Sequence, residues 1–202
     1  MLDIGAGGAL VLYSPFVAEH RLLSPGVPTV EAIGVRGAGG ALAGRVGRVA
    51  VLRIGGFTLS GPTTHFSLDQ AGAFATTAIQ GNIGHEIASR FRLFLDYGNE
   101  RIVFEPAANF TESFDRPQTG LVIAADGADY TTFRVTDVLD DSPGFEAGVR
   151  PGDVIVAIEG RAAAGWTLTS VLEHLERPVP CTLTIRRGQQ TLDVTLSPRP
   201  LV

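Results

Sequence analysis

Three groups of residues in this sequence have types and spacings that could do chemistry. The first is Asp3, in the stretch LDIGAGGAL of residues 2–10, where one carboxylate among apolar residues is followed by Gly5, Ala6, Gly7 and Gly8. Such a carboxylate can cap its own backbone as a turn residue. It can also serve as one acid of a pair that shares a proton, the glycine letting backbone N–H groups come close and orient it. The second group is His65, Ser67 and Asp69 in one short segment. These are the residue types of a nucleophilic triad, but adjacent residues of one loop rarely converge in that geometry. The third is IGVRGAGGALAGRVGRV, residues 33–49, with glycines at 34, 37, 39, 40, 44 and 47. A loop that cradles nucleotide phosphates needs a strand before it, a helix after it and an acidic residue about 20 positions later. None of these accompanies it. A hairpin that closes over a bound chain suits the composition better, with a plain mobile loop as the bland reading.

Composition narrows the partners. The chain has 202 residues, 45% hydrophobic and 18% charged, which suits one large or two small packed domains rather than disorder. The formal net charge is −5 and no basic cluster dominates any segment, so nucleic acid is not expected as a partner. Every basic residue is arginine, which removes lysine-based chemistry. Cys181 is the single cysteine, so no internal disulfide can form, and its place in the alternating strand CTLTIRR marks it as a core residue. His20, His65, His85 and His174 show no metal-ligand spacing, and neither a metal nor a cofactor is expected. No run of about 18 apolar residues predicts a membrane span. The chain opens directly on LDIGAGG, without the basic segment and apolar stretch of a secretory leader.

The elements that must position these residues divide into two textures. Residues 1 to 106 are rich in glycine and short strand-like runs: ALVLYSPF, RVAVLRIGGFTL, and the hairpin FRLFLDY–RIVFEP around Gly98, Asn99 and Glu100. Short helices are expected from Ser14, with Pro15 in the first turn, and in GNIGHEIASRF. Residues 107–117 are polar without a clear period and read as a linker. From about residue 118, TGLVIAA, FRVTDVL, GDVIVAIEG, CTLTIRR and TLDVTLSP predict five strands, with a short helix in SPGFEAG and a longer one in TLTSVLEHLER. In the longer helix Leu168, Val171, Leu172 and Leu175 recur at three- and four-residue steps and share one face. Asp96 falls at the end of an exposed hairpin strand, and Asp126 fits a turn.

In SPGFEAGVRPGDVIVAIEG, Ser142 caps a helix whose first turn holds Pro143, Pro151–Gly152 turns, and VIVAI enters as a buried strand. This segment resembles PDZ domains, particularly those attached to bacterial proteases, and the resemblance covers residues 118–202. It implies a partly open β-barrel with two helices, which captures peptide or protein C-termini by strand addition while backbone N–H groups hold the terminal carboxylate. On that resemblance, Thr119, Gly120, Leu121 and Val122 form the carboxylate loop. Val122, Ile123 and Ala124 are the docking edge, with Val171, Leu172 and Leu175 as the groove wall or core. A one-residue slip of register would reverse the facing of Leu121 and Ile123.

Asp3-Ile4-Gly5-Ala6, taken with AIQGNIGHEIASRFRLFLDYGNERIVFEP, resembles the retropepsin-like aspartic proteases in their bacterial, PDZ-fused form. The resemblance implies a mainly β chain, with an N-terminal acid-protease barrel over residues 1–106 that lacks its first strands. Asp3 would be catalytic, Ile4, Gly5 and Ala6 the active-site loop, Gly37, Gly39 and Gly40 the flap, and Ile83–Gly84 the supporting apolar-Gly segment. Because no second D-x-G-A motif occurs, two copies of Asp3 would have to meet across a two-fold axis, making a homodimer part of the mechanism. Ile4 replaces the family's Thr or Ser, whose hydroxyl ties the two loops together. The expected function is thus an aspartic-type endopeptidase acting on peptide or protein substrates, located in the bacterial periplasm or envelope by the same resemblance. The alternative is a non-catalytic peptide-binding and dimerisation protein.

Overall fold

In the computed structural model the chain forms two compact units, Met1–Phe114 and Asp115–Leu201, with Val202 grouped with the first. The structure describes every residue except 35, 38, 39 and 117, and of residues 36, 37, 40 and 41 the backbone alone.

The first unit runs β1 (Leu10–Leu12), α1 (Ser14–Glu19), β2 (Val30–Glu31), β3 (Arg36–Gly37), β4 (Gly40–Ala41), β5 (Gly44–Arg48), β6 (Val51–Ile54), β7 (Phe57–Ser60), β8 (Thr63–Ser67), β9 (Gly81–Ile83), α2 (His85–Ala88), β10 (Phe91–Asp96) and β11 (Arg101–Pro106). Its main sheet has the order β2-β5-β8-β1-β9, while β3-β4, β6-β7 and β10-β11 are separate two-stranded hairpins. The strand β1 is parallel to β8 and antiparallel to β9. Leu10, Leu59, Ile87, Phe91 and Phe114 form the buried core, with Phe57, Phe104 and Phe110 packed on it. Phe91 meets Phe57, Phe104 and Phe110 edge-on, each ring centroid 5.3 Å away.

The segment read as a linker therefore supplies core side chains. Phe114 is 3% exposed, and the buried Arg90 guanidinium lies 3.6 Å from its ring centroid while donating to the backbone carbonyls of Glu112 and Ser113. The other departure is β8, the central strand, which apolar alternation does not reveal. Thr64, His65, Phe66 and Ser67 are all buried, so both faces are covered, yet only Phe66 is a hydrophobic marker.

The second unit runs β12 (Leu121–Asp126), β13 (Thr132–Val138), α3 (Pro143–Glu146), β14 (Val154–Ile158), β15 (Arg161–Ala162), α4 (Leu168–Leu175), β16 (Cys181–Arg187) and β17 (Gln190–Leu196). All five expected strands and both helices are present. They form one antiparallel sheet of order β12-β13-β14-β16-β17, with β15 paired to β14. A single core gathers Ile123, Phe133, Val135, Ile155, Ile158, Val171, Leu175, Leu183, Ile185 and Leu196. Cys181 is buried beside it, and burial, assisted by the charge of Glu159, pushes its thiol up to about 11, so it stays a thiol.

Asp153 is 1% exposed at the entry to β14. Arg187 grips it bidentately, Nε to Oδ1 and Nη2 to Oδ2 at 2.8 Å each, and the Arg150 N–H donates to Oδ2 at 2.8 Å. Burial opposes its ionisation, but these bonds hold the carboxyl below the usual range. The pair is not visible as a local pattern, because its members lie 34 positions apart; the signal in the sequence is a lone Asp at the mouth of a buried apolar strand.

Candidate functional site

A candidate site lies in the second unit, between β12 and α4. The strand β12 pairs with β13 alone, so its other edge has no partner strand among the described residues. Its register is Leu121↔Val138, Val122↔Asp137 and Ile123↔Val135, with an irregularity between Val122 and Ile123. Leu121 and Ile123 consequently face the core beneath α4, and the alternative facing is excluded. On α4 the shared apolar face divides. Val171 and Leu175 are core, 0% and 3% exposed, whereas Leu172 stays open to solvent at 38%. The helix is started by a reciprocal cap: Ser170 N–H donates to Thr167 Oγ1 at 3.2 Å and Thr167 N–H donates to Ser170 Oγ at 2.9 Å.

The loop that leads into β12 is tightly held. The Gly144 N–H donates to Thr119 O and the Leu139 N–H donates to Gly120 O, each at 2.8 Å. Ser142 is fully buried, and its Oγ accepts from Phe145 N–H at 3.3 Å, capping α3. Gly120 has φ +73°, and a Cβ there would collide with the Ser142 side chain, so both conformation and space require glycine. This fixes the start of the free edge against α3. Below it, Arg199 ties the C-terminal segment to α3 by a bidentate pair with Glu146, at 2.8 and 3.0 Å, and donates to Asp141 O.

Within one copy of the chain, the hydrogen-bond partners of Asp3 among the described residues include no second carboxylate. Asp3 is half-buried; its Oδ1 accepts from the Gly5 N–H at 3.1 Å, and its Oδ2 is 3.4 Å from Asn82 Nδ2. The first bond is the local turn of the bland reading. Asn82 in turn accepts from Tyr13 Oη at 2.7 Å, and burial raises that phenol above its ordinary value. Ile4 is 64% exposed. Ile83 and Gly84 lie against this turn: Asp3 N–H donates to Ile83 O at 2.8 Å, and a Cβ at Gly84 would collide with Gly8 O. Gly37 pairs with Gly40 in the β3-β4 hairpin, while Gly39 lies outside the described residues.

Nor do His65, Ser67 and Asp69 form a relay. Ser67 Oγ donates directly to Asp69 Oδ2 at 3.1 Å, and among the described residues neither ring nitrogen of the buried His65 has a hydrogen-bond partner. Asp96 accepts from Asn99 and Arg101 at the hairpin end, and Asp126 caps Gly127, so both keep their turn roles. Among the described residues no group of three His, Cys, Asp or Glu is placed to hold a metal ion, and no helix is long and apolar enough to cross a membrane.

Residues 134–187 match the family model of the PDZ domain. Among curated proteins the chain is similar to serine protease HTRA1 of Xenopus laevis, 29% identical over 65 residues that make up 32% of this chain and 14% of that protein. It is also similar to the carboxy-terminal-processing protease of Bartonella bacilliformis, 39% identical over 56 residues, 27% of this chain and 13% of that one. The chain thus spans about one seventh of these relatives. Among solved structures, the HtrA3 PDZ domain bound to a phage-derived ligand (FGRWV) is matched at 23% identity. That match covers 42% of this chain and 85% of that one, with a TM-score of 0.37.

These findings correct the expected enzyme. The proteases that the chain is similar to are serine proteases, which overturns the aspartic-type assignment, and the likeness covers about a third of the chain or less. A retropepsin-like barrel is not shown by them either. What the family model supports is local: a PDZ domain over residues 134–187 of the second unit.

Proposed function

We propose that this chain is a non-catalytic peptide-binding protein that captures peptide or protein C-termini in the groove between β12 and α4. The observation that carries this reading is the free edge of β12, which starts at the rigid Gly120 loop and runs beside an exposed leucine on α4. An extended chain laid on that edge satisfies its own backbone groups and those of β12 together. Backbone N–H groups at the loop hold the terminal carboxylate, since a free anion needs donors that burial does not remove. Leu121, Leu172 and the adjoining core side chains offer an apolar seat, so ligands ending in an apolar residue are favoured. In this reading the first unit serves as a scaffold.

The test is calorimetric titration of the full chain with a library of free C-terminal peptides. Peptides ending in an apolar residue bind, amidation of the terminal carboxylate abolishes binding, and Gly120→Val weakens it at least about tenfold, a loss of about 1.4 kcal/mol. Binding that is indifferent to amidation would contradict the proposal.

A further inference from the structure

The β10-β11 hairpin of the first unit carries a concentration of exposed apolar side chains. Phe94 is 47% exposed, Leu95 51%, Ile102 43% and Val103 44%. Leu93, Leu95 and Ile102, with Leu2 and Ile4, line a hollow of about 550 Å³. The hairpin is a two-stranded sheet whose outer edges have no partner strand among the described residues. Such a ribbon is marginal in water by itself, and an open apolar edge is a template for another strand.

The sequence of β10 specifies which strand. Residues 92–96 read Arg-Leu-Phe-Leu-Asp, symmetric in apolar type about Phe94 and opposite in charge at the two ends. We propose that two copies of this chain associate by antiparallel pairing of β10 with β10, on a two-fold axis through Phe94. This goes beyond the peptide-binding reading and does not depend on it.

The register follows from the symmetry. Phe94 faces the partner's Phe94, Leu93 the partner's Leu95, and Arg92 the partner's Asp96. Within each hairpin, Arg92 is paired with Glu105 at 3.5 Å and Asp96 with Arg101 at 2.8 Å. The joined four-stranded sheet therefore carries a row Glu105, Arg92, the partner's Asp96 and the partner's Arg101, in which every neighbour is of opposite sign. Opposed charges and opposed apolar residues are both favourable across an antiparallel pair. The same surface meets itself, as a two-fold contact requires. The strand β11 is also charge-symmetric, from Arg101 to Glu105, but it ends on Pro106, a residue that sheets keep to their edges. That places β10 inside and β11 outside.

The experiment uses the full chain. Sedimentation equilibrium gives twice the chain mass, and Phe94→Asp reduces it to the single mass with unchanged far-ultraviolet circular dichroism and unchanged peptide binding. Independently, Phe94→Cys cross-links the two copies under mild oxidation, because residues opposed on an antiparallel axis are about 4.5–5.5 Å apart at Cα, within disulfide reach. Val103→Cys does not cross-link, and the wild-type chain is silent because Cys181 is buried. A wild-type chain that stays monomeric, or a cross-link through Val103→Cys in place of Phe94→Cys, would overturn the proposal. Loss of peptide binding with the dimer intact would count against the groove alone.

Discussion

The two units solve the same problem, burying strands, in different ways. The second has one continuous sheet around one core, and its buried carboxylate is fully paired. The first is divided between a five-stranded sheet and three two-stranded hairpins, and it leaves an apolar hairpin open to solvent. The difference teaches where function and dependence lie. A unit built on one sheet can offer an outer edge, such as that of β12, to a ligand and keep its core intact, whereas a unit with several open ribbons draws stability from being covered.

The contrast can be broken or sharpened by substitution. The largest effect is expected at Phe91, where three other aromatic rings converge. Phe91→Ala destabilises the first unit by about 4 kcal/mol through lost burial and a residual cavity. Chemical denaturation monitored by residue-specific probes in each unit would show the second unit's transition unmoved.

Next is Asp153→Ala, which removes the buried acceptor of Arg187 and of the Arg150 N–H. It costs the second unit about 3 kcal/mol, read as a lower urea midpoint, since breaking a buried pair strands its partner.

Acid separates the units in the same manner. Burial holds the His65 ring below its ordinary 6.5, the charge of Asp69 opposing only in part. The unfolded chain therefore binds this proton first. The stability His65 contributes is present above pH 6.5 and is lost as pH falls from there through the lowered folded value. Asp153 is depressed below 3.8, so its contribution to the second unit is present above that pH and fades only beneath it. Thermal melts across this range should show the first unit weakening first, with His65→Leu flattening its slope.

The smallest effect is expected at Asp3. Asp3→Asn keeps an oxygen to accept from the Gly5 N–H, and both stability and peptide affinity should stay within about 0.5 kcal/mol of the wild type, as denaturation and titration would show.

What was legible in the sequence was whatever depends on local spacing. The Ser142 cap, the apolar face of α4, the β10-β11 hairpin and the turn roles of Asp96 and Asp126 all rest on residues a few positions apart. What was not legible depends on distant partners: β8 buried on both faces by other elements, Phe114 folded back onto Phe91's core, and Arg187 reaching Asp153. Asp3 shows the opposite error. A D-x-G spacing is what a local aspartate turn also needs, so the short pattern does not separate a proton-sharing acid from a capped backbone.

The central claim is that the free edge of β12 binds chain ends, and backbone amide chemical shifts of the isotope-labelled full chain test it most directly. Addition of a free C-terminal peptide with an apolar last residue should move the resonances of Gly120 to Ala124 and of Leu168 to Leu175, and leave those of the first unit in place. Shifts confined to the first unit, or none at saturating peptide, would contradict the account.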